Sequence, residues 1–133
     1  GGEVIGVIPD RLMGREVAHP GLSKLYVVPD MHSRKTMMAQ LADGFIALPG
    51  GWGTLEELFE VLTWSQLNYH MKPVGLLNSR GYYDQLLAFL SFAAGEAFIR
   101  PAHQHLLQHD NELAPLLEKL ARVEIPNFAD WKA

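Results

Sequence analysis

The sequence contains no cysteine. That excludes a disulfide framework and a thiolate metal site, and it fits a reducing, cytoplasmic setting. No apolar run approaches the roughly 20 residues that cross a bilayer, and no stretch reads as a signal peptide. A membrane partner is therefore not expected. Charge of one sign is not in large excess either: 11 basic residues face 15 acidic ones, for a net charge of −4. No basic footprint for nucleic acid follows from that balance. The remaining composition is ordinary for one globular domain, with 48% hydrophobic and 20% charged residues in a chain of 133. A single domain spanning 1–133 is expected.

The chain is organised around one stretch, Leu48-Pro49-Gly50-Gly51-Trp52-Gly53-Thr54-Leu55-Glu56-Glu57. A short apolar run, 45–48, leads in, and an amphipathic segment, 55–66, leads out. The pattern is strand, glycine turn, helix. Gly50, Gly51 and Gly53 let the backbone approach a ligand closely. Thr54 suits a helix N-cap, and Glu57 three residues later completes the pattern of a capping box. Amides opening such a helix favour an anion, most often a phosphate. The stretch is neither a Walker loop, since no lysine follows the last glycine, nor a G-x-G-x-x-G fingerprint. On spacing alone, an ordinary glycine turn with a cap competes with a phosphate site.

The rest of the chain alternates. Strands are expected at 3–8, 24–28, 45–48 and 73–77, with a short last one at 106–109. Helices are expected at 31–41, 54–66, 82–94 and 111–122. A helical turn is expected near 11–15, and the tail 123–133 reads as a surface segment. This alternation predicts an α/β fold, a Rossmann-like parallel sheet flanked by helices. Ligands bind such sheets at the carboxyl ends of the strands.

One residue breaks the helical pattern. The stripe at 31–41 is Arg34, Met37, Met38 and Leu41, so a cation stands where an apolar residue belongs. It also stands in the first helical turn, which the helix dipole makes unfavourable. Such conflicts mark functional sites, although an arginine stem can also pack while its head reaches water. Arg34 follows the second strand and Glu57 the third. If those strands are neighbours, a cation, a carboxylate and a phosphate-binding turn share one edge.

Met31-His32-Ser33-Arg34-Lys35, followed by Pro49-Gly50-Gly51-Trp52-Gly53-Thr54-Leu55-Glu56-Glu57, resembles the paired signature of the Lonely Guy (LOG) family. These are cytokinin riboside 5′-monophosphate phosphoribohydrolases, often labelled lysine decarboxylase-like. The segments 2–9, 62–67 and 72–78 resemble the family as well, and the likeness thins after about Phe98. It implies hydrolysis of the N-glycosidic bond of cytokinin riboside 5′-monophosphates or AMP, giving a free base and ribose 5-phosphate. It implies Arg34 and Glu57 as the essential catalytic pair. Gly50, Gly51, Trp52, Gly53 and Thr54 would hold the 5′-phosphate, with Met31 beside them; Lys35 either adds charge near the phosphate or is a solvated helix residue. It implies no cofactor and no metal, a nucleoside monophosphate as the small-molecule partner, and a homodimer. It also implies a first strand and an earlier glycine-rich segment ahead of Gly1.

The chemistry suits the residues. Breaking an N-riboside develops positive charge on the sugar, as in glycoside hydrolysis. A carboxylate can stabilise that charge and orient water, while a guanidinium holds phosphate or ribose oxygens by forked hydrogen bonds. Glu56 and Glu60 fall elsewhere on the helical wheel and are expected to be solvated. His103, His105 and His109 lack the spacing of a metal site. Two alternatives stay open: a non-catalytic nucleotide or molybdenum-cofactor carrier of the same fold, and a folded fragment without activity. A literal lysine decarboxylase would need pyridoxal phosphate on a Schiff-base lysine, and none of Lys24, Lys35, Lys72, Lys119 and Lys132 has a recognisable context for it.

Overall fold

The structure, a computed structural model, describes residues 1–14 and 19–128. The chain divides into two compact units, Gly1–Ala42 and Asp43–Ala133.

The first unit holds strand β1 (Ile5–Pro9), strand β2 (Lys24–Val28) and helix α1 (Met31–Leu41). β1 is Ile-Gly-Val-Ile-Pro, a β-branched run whose last residue, Pro9, can continue no ladder. It pairs in parallel with β2, Ile5 opposite Lys24 and Pro9 opposite Val28. Ile8 and Pro9 of β1 and Val28 of β2 are buried. A 3-10 turn, Asp10–Leu12, follows β1. It covers the start of the helical turn expected near 11–15, whose Arg15 lies outside the described residues. Asp30 caps α1: its carboxylate accepts from the Ser33 amide at 2.7 Å. Those hydrogen bonds hold the Asp30 carboxyl below its ordinary range.

The second unit holds a three-stranded parallel sheet in the order β3 (Phe45–Ala47), β4 (Val74–Leu77) and β5 (Leu107–Asp110). Helix α2 (Trp52–Gln66) links β3 to β4, and α3 (Asp84–Gly95) links β4 to β5. Helix α4 (Leu113–Arg122) follows β5. Strand alternation divides β4 between two faces. Val74 and Leu76 turn to one face, where they bury with Leu58 and Tyr83 against Leu55, Leu62, Leu86 and Leu87. Gly75 turns to the other, where a Cβ would stand 3.0 Å from Leu120 and 3.2 Å from Leu116. α4 lies this close to the sheet because β4 offers no side chain there. The expected stripe of α4 divides accordingly: Leu116 and Leu120 are buried, while Leu113 and Leu117 stay about half exposed. Pro115 sits in the first turn of α4, where no intrahelical amide bond is lost.

Parallel pairing in both units, with helices linking the strands of the second, is the α/β arrangement that the alternating pattern predicts. Several boundaries differ by one or two residues: β1 is Ile5–Pro9 rather than 3–8, β5 is Leu107–Asp110 rather than 106–109, and α4 begins at Leu113 rather than 111. α2 begins at Trp52, two residues before the expected start. α3 begins at Asp84 and leaves Tyr82 and Tyr83 in the turn before it. The expected surface tail is described only through Phe128; residues 129–133 lie outside the described residues.

Candidate active site

The glycine turn leaves the carboxyl end of β3 and runs straight into α2. Gly51, not Thr54, is the N-cap, and no side chain caps this end. The first helical hydrogen bond runs from the Leu55 amide to the Gly51 carbonyl at 3.1 Å. The amides of Trp52, Gly53 and Thr54 precede it, and helix geometry gives them no intrahelical acceptor. The expected capping box does not form, because Thr54 already lies inside the helix. Its side chain instead packs over Gly50, where an added Cβ would stand 2.8 Å from the Thr54 Cβ. Gly50 is thus a glycine by close approach. Trp52 projects from the turn almost fully exposed.

Glu57 lies on the same helix, five residues beyond Trp52, and is half-buried. Glu56 is exposed, as its place on the wheel predicts, whereas Glu60 is half-buried rather than fully solvated. Val61 packs against the core cluster.

In the first unit, Arg34 stands in the first turn of α1, its amide donating to the Asp30 carbonyl at 3.1 Å. Its Nε donates to the Val7 carbonyl of β1, also at 3.1 Å. This accounts for a cation on the apolar stripe: the stem lies on the β1 side of the helix and the guanidinium ends on backbone carbonyl oxygen. Met31 is exposed and Lys35 half-buried on the same helix.

The family described as "Possible lysine decarboxylase" matches residues 1–120 of the chain. The chain belongs to that family. It is 52% identical, over 120 residues, to the cytokinin riboside 5′-monophosphate phosphoribohydrolase LOG1 of Arabidopsis thaliana, which covers 90% of this chain and 56% of LOG1. It is 49% identical, over 128 residues, to LOG7 of the same plant, covering 96% of this chain and 58% of LOG7. The chain spans about half the length of the curated relatives it matches.

In this member of the lysine decarboxylase-like family, the second unit also has a cavity of about 370 Å³. Phe59, Leu62, Leu87, Leu90, Ile99 and His103 are among its lining residues, and none of residues 48–57 is. His103 stacks edge-on against Phe128, with ring centroids 4.6 Å apart. Among the described residues, no group of three or more His, Asp or Glu side chains could hold a metal ion. No helix of the described residues is long and apolar enough to cross a membrane.

Three residues around the turn escape a reading of the sequence alone. Tyr82, Tyr83 and Asn78 reach or support the turn from residues that follow β4, roughly thirty positions along the chain. The one local signal is Tyr83 at the head of the apolar stripe Tyr83, Leu86, Leu87 and Leu90 in the expected helix 82–94, because a buried tyrosine hydroxyl requires a partner.

Proposed function

We propose that the chain is part of a phosphoribohydrolase that cleaves the N-glycosidic bond of cytokinin riboside 5′-monophosphates or AMP. Water adds its hydroxyl to C1′. The bond from C1′ to the base nitrogen breaks, its electron pair leaves with the base, and the second proton of water goes to the base. The products are the free base and ribose 5-phosphate.

In this reading the first-turn amides of α2, at Trp52, Gly53 and Thr54, bind the 5′-phosphate, and Gly50 and Gly51 let the backbone come close to it. They carry the positive end of the helix dipole and need no side-chain cation. The Glu57 carboxylate stabilises the cationic sugar and orients the attacking water. Arg34 holds phosphate or ribose oxygens through its forked donors. Lys35 adds charge for the phosphate, and Met31 lines the substrate. The observation that carries the reading is the turn itself: a glycine N-cap with no side-chain cap opens α2 at a parallel strand's carboxyl end, with Glu57 on the same helix.

We further propose a cytoplasmic homodimer. Phe89 and Phe92 of α3 and Phe98 beyond it are more than half exposed, a concentration of apolar surface that a subunit contact would cover.

The test is to incubate the full-length protein with AMP and with N6-isopentenyl AMP and to separate the products by chromatography. Free base and ribose 5-phosphate in equal amounts are expected. Intact nucleotide after prolonged incubation would overturn the proposal. Size measurement of the same sample tests the dimer.

A further inference from the structure

The glycine turn is held from outside by two tyrosines. Tyr83 is buried, and its hydroxyl both gives and takes. It donates to the Leu48 carbonyl at 2.7 Å and accepts from the Gly50 amide at 3.1 Å. The Tyr82 hydroxyl donates to the Gly50 carbonyl at 2.9 Å. Every hydrogen-bonding group of Gly50's backbone is therefore engaged by one of the pair, and Pro49 beside it has no amide to engage. The two rings brace each other edge to face, with centroids 4.7 Å apart and planes at 85°.

The pair is itself anchored. The turn Ser79–Gly81 places both Arg80 (φ 56°) and Gly81 (φ 70°) in the left-handed region. Asn78, buried just beyond β4, fixes the far side of that turn. Its Oδ1 accepts from the Tyr83 amide at 2.7 Å, its Nδ2 donates to Asp84 Oδ1 at 2.8 Å, and its own amide donates to the Asp110 carbonyl at 2.8 Å. One connected set of hydrogen bonds thus runs along the carboxyl edge of the sheet, from the end of β5 through the end of β4 to the turn after β3.

A turn containing Gly50 and Gly51, with no side-chain cap, has unusual backbone freedom. A ligand gripped by its amides would first have to order it, and that cost lowers affinity. We propose that Tyr83 and Tyr82 are positioning residues that order the glycine turn in advance for the phosphate of the substrate. The inference rests on the reading of this turn as the phosphate site. Neither tyrosine touches the phosphate; both act through the backbone of residues 48–50, Tyr83 from the core and Tyr82 from the surface.

The full-length protein carrying Tyr83→Phe or Tyr82→Phe tests this, with ribose 5-phosphate as the calorimetric probe. Tyr83→Phe should weaken binding about tenfold and Tyr82→Phe about threefold, the scale of one or two lost hydrogen bonds. KM for the nucleotide should rise by the same factors while kcat stays within about threefold. Leu120→Ala, on the α4 face of the sheet, is the control for lost stability and should leave the affinity unchanged. If Tyr83→Phe does not fold, Tyr82→Phe decides, since its ring stays in place and its hydroxyl lies at the surface. Wild-type affinity in the tyrosine variants, or equal weakening by Leu120→Ala, would overturn the inference. Wild-type protein that binds ribose 5-phosphate, with binding weakened in the tyrosine variants as above, but releases no base would refute the phosphoribohydrolase reading and leave the inference standing. Wild-type protein that does not bind ribose 5-phosphate would overturn the inference, whatever its activity.

Discussion

The Nε of Arg34 donates to the carbonyl of Val7 across 3.1 Å and ties helix α1 to strand β1. A guanidinium fixed at one nitrogen has its plane set before any ligand arrives. Lysine keeps the charge but has no planar fork. We predict that Arg34→Lys in the full-length protein slows base release by about a hundredfold, with fold stability lowered by about 1 kcal/mol for the altered Val7 contact. Initial rates and thermal unfolding check the two parts.

Gly50→Ala should act through Thr54. The new Cβ would stand 2.8 Å from the Thr54 Cβ, so the turn or the start of α2 must shift. Overpacking of this kind costs about 1–3 kcal/mol. The expected result is a lower unfolding midpoint together with a raised KM for the nucleotide. Gly51→Ala is the comparison, since nothing lies within 4 Å of its Cβ position; it should cost less stability.

Ser65 is 1% exposed, and its hydroxyl has no hydrogen-bond partner among the described residues. A buried hydroxyl without a partner loses its hydration and gains nothing in exchange. Ser65→Ala should therefore raise stability, by about 1 kcal/mol, on the scale of one unsatisfied group. Chemical denaturation with an unchanged slope measures it.

His70 gives the fold a pH dependence. Its Nε2 meets the Val61 carbonyl at 2.8 Å and its Nδ1 accepts from the Lys72 amide at 3.0 Å, so the folded ring is neutral with the proton on Nε2. Burial is the main cause that lowers its pKa below the ordinary 6.5. The unfolded chain then binds the proton more readily, so this stabilisation is complete above pH 6.5 and is lost as pH falls below it. Burial shifts His103 in the same direction. The carboxyls of Asp30 and Asp110 are held low by hydrogen bonds, so their contributions fade only below the ordinary carboxylate range. The unfolding midpoint should drop between pH 7.5 and 5.5, and His70→Gln should reduce that drop without abolishing it.

Much of this was legible in the sequence, for physical reasons. Alternation of short β-branched runs with amphipathic segments gave the parallel α/β arrangement, because burial on both faces leaves a continuous apolar run. Arg34 stood out because it broke the stripe of its own helix, and the structure supplies the partner that explains it, Val7. The start of α2 was misplaced at Thr54. A threonine cap has a side-chain signal, whereas a glycine cap such as Gly51 has none. The tyrosine contacts were out of reach, since they join Leu48 and Gly50 to residues more than thirty positions away. No spacing rule reaches that far; only packing reveals it.

The most direct measurement compares wild type with Glu57→Gln for release of free base from AMP and from N6-isopentenyl AMP, in the full-length protein. Glutamine keeps the size and the place on α2 and removes the charge. Base release by wild type that falls by about two to four orders of magnitude in the variant, with an unchanged unfolding midpoint, is the predicted result. Equal release by the two proteins would contradict the role of Glu57, and no release by either would contradict the phosphoribohydrolase itself.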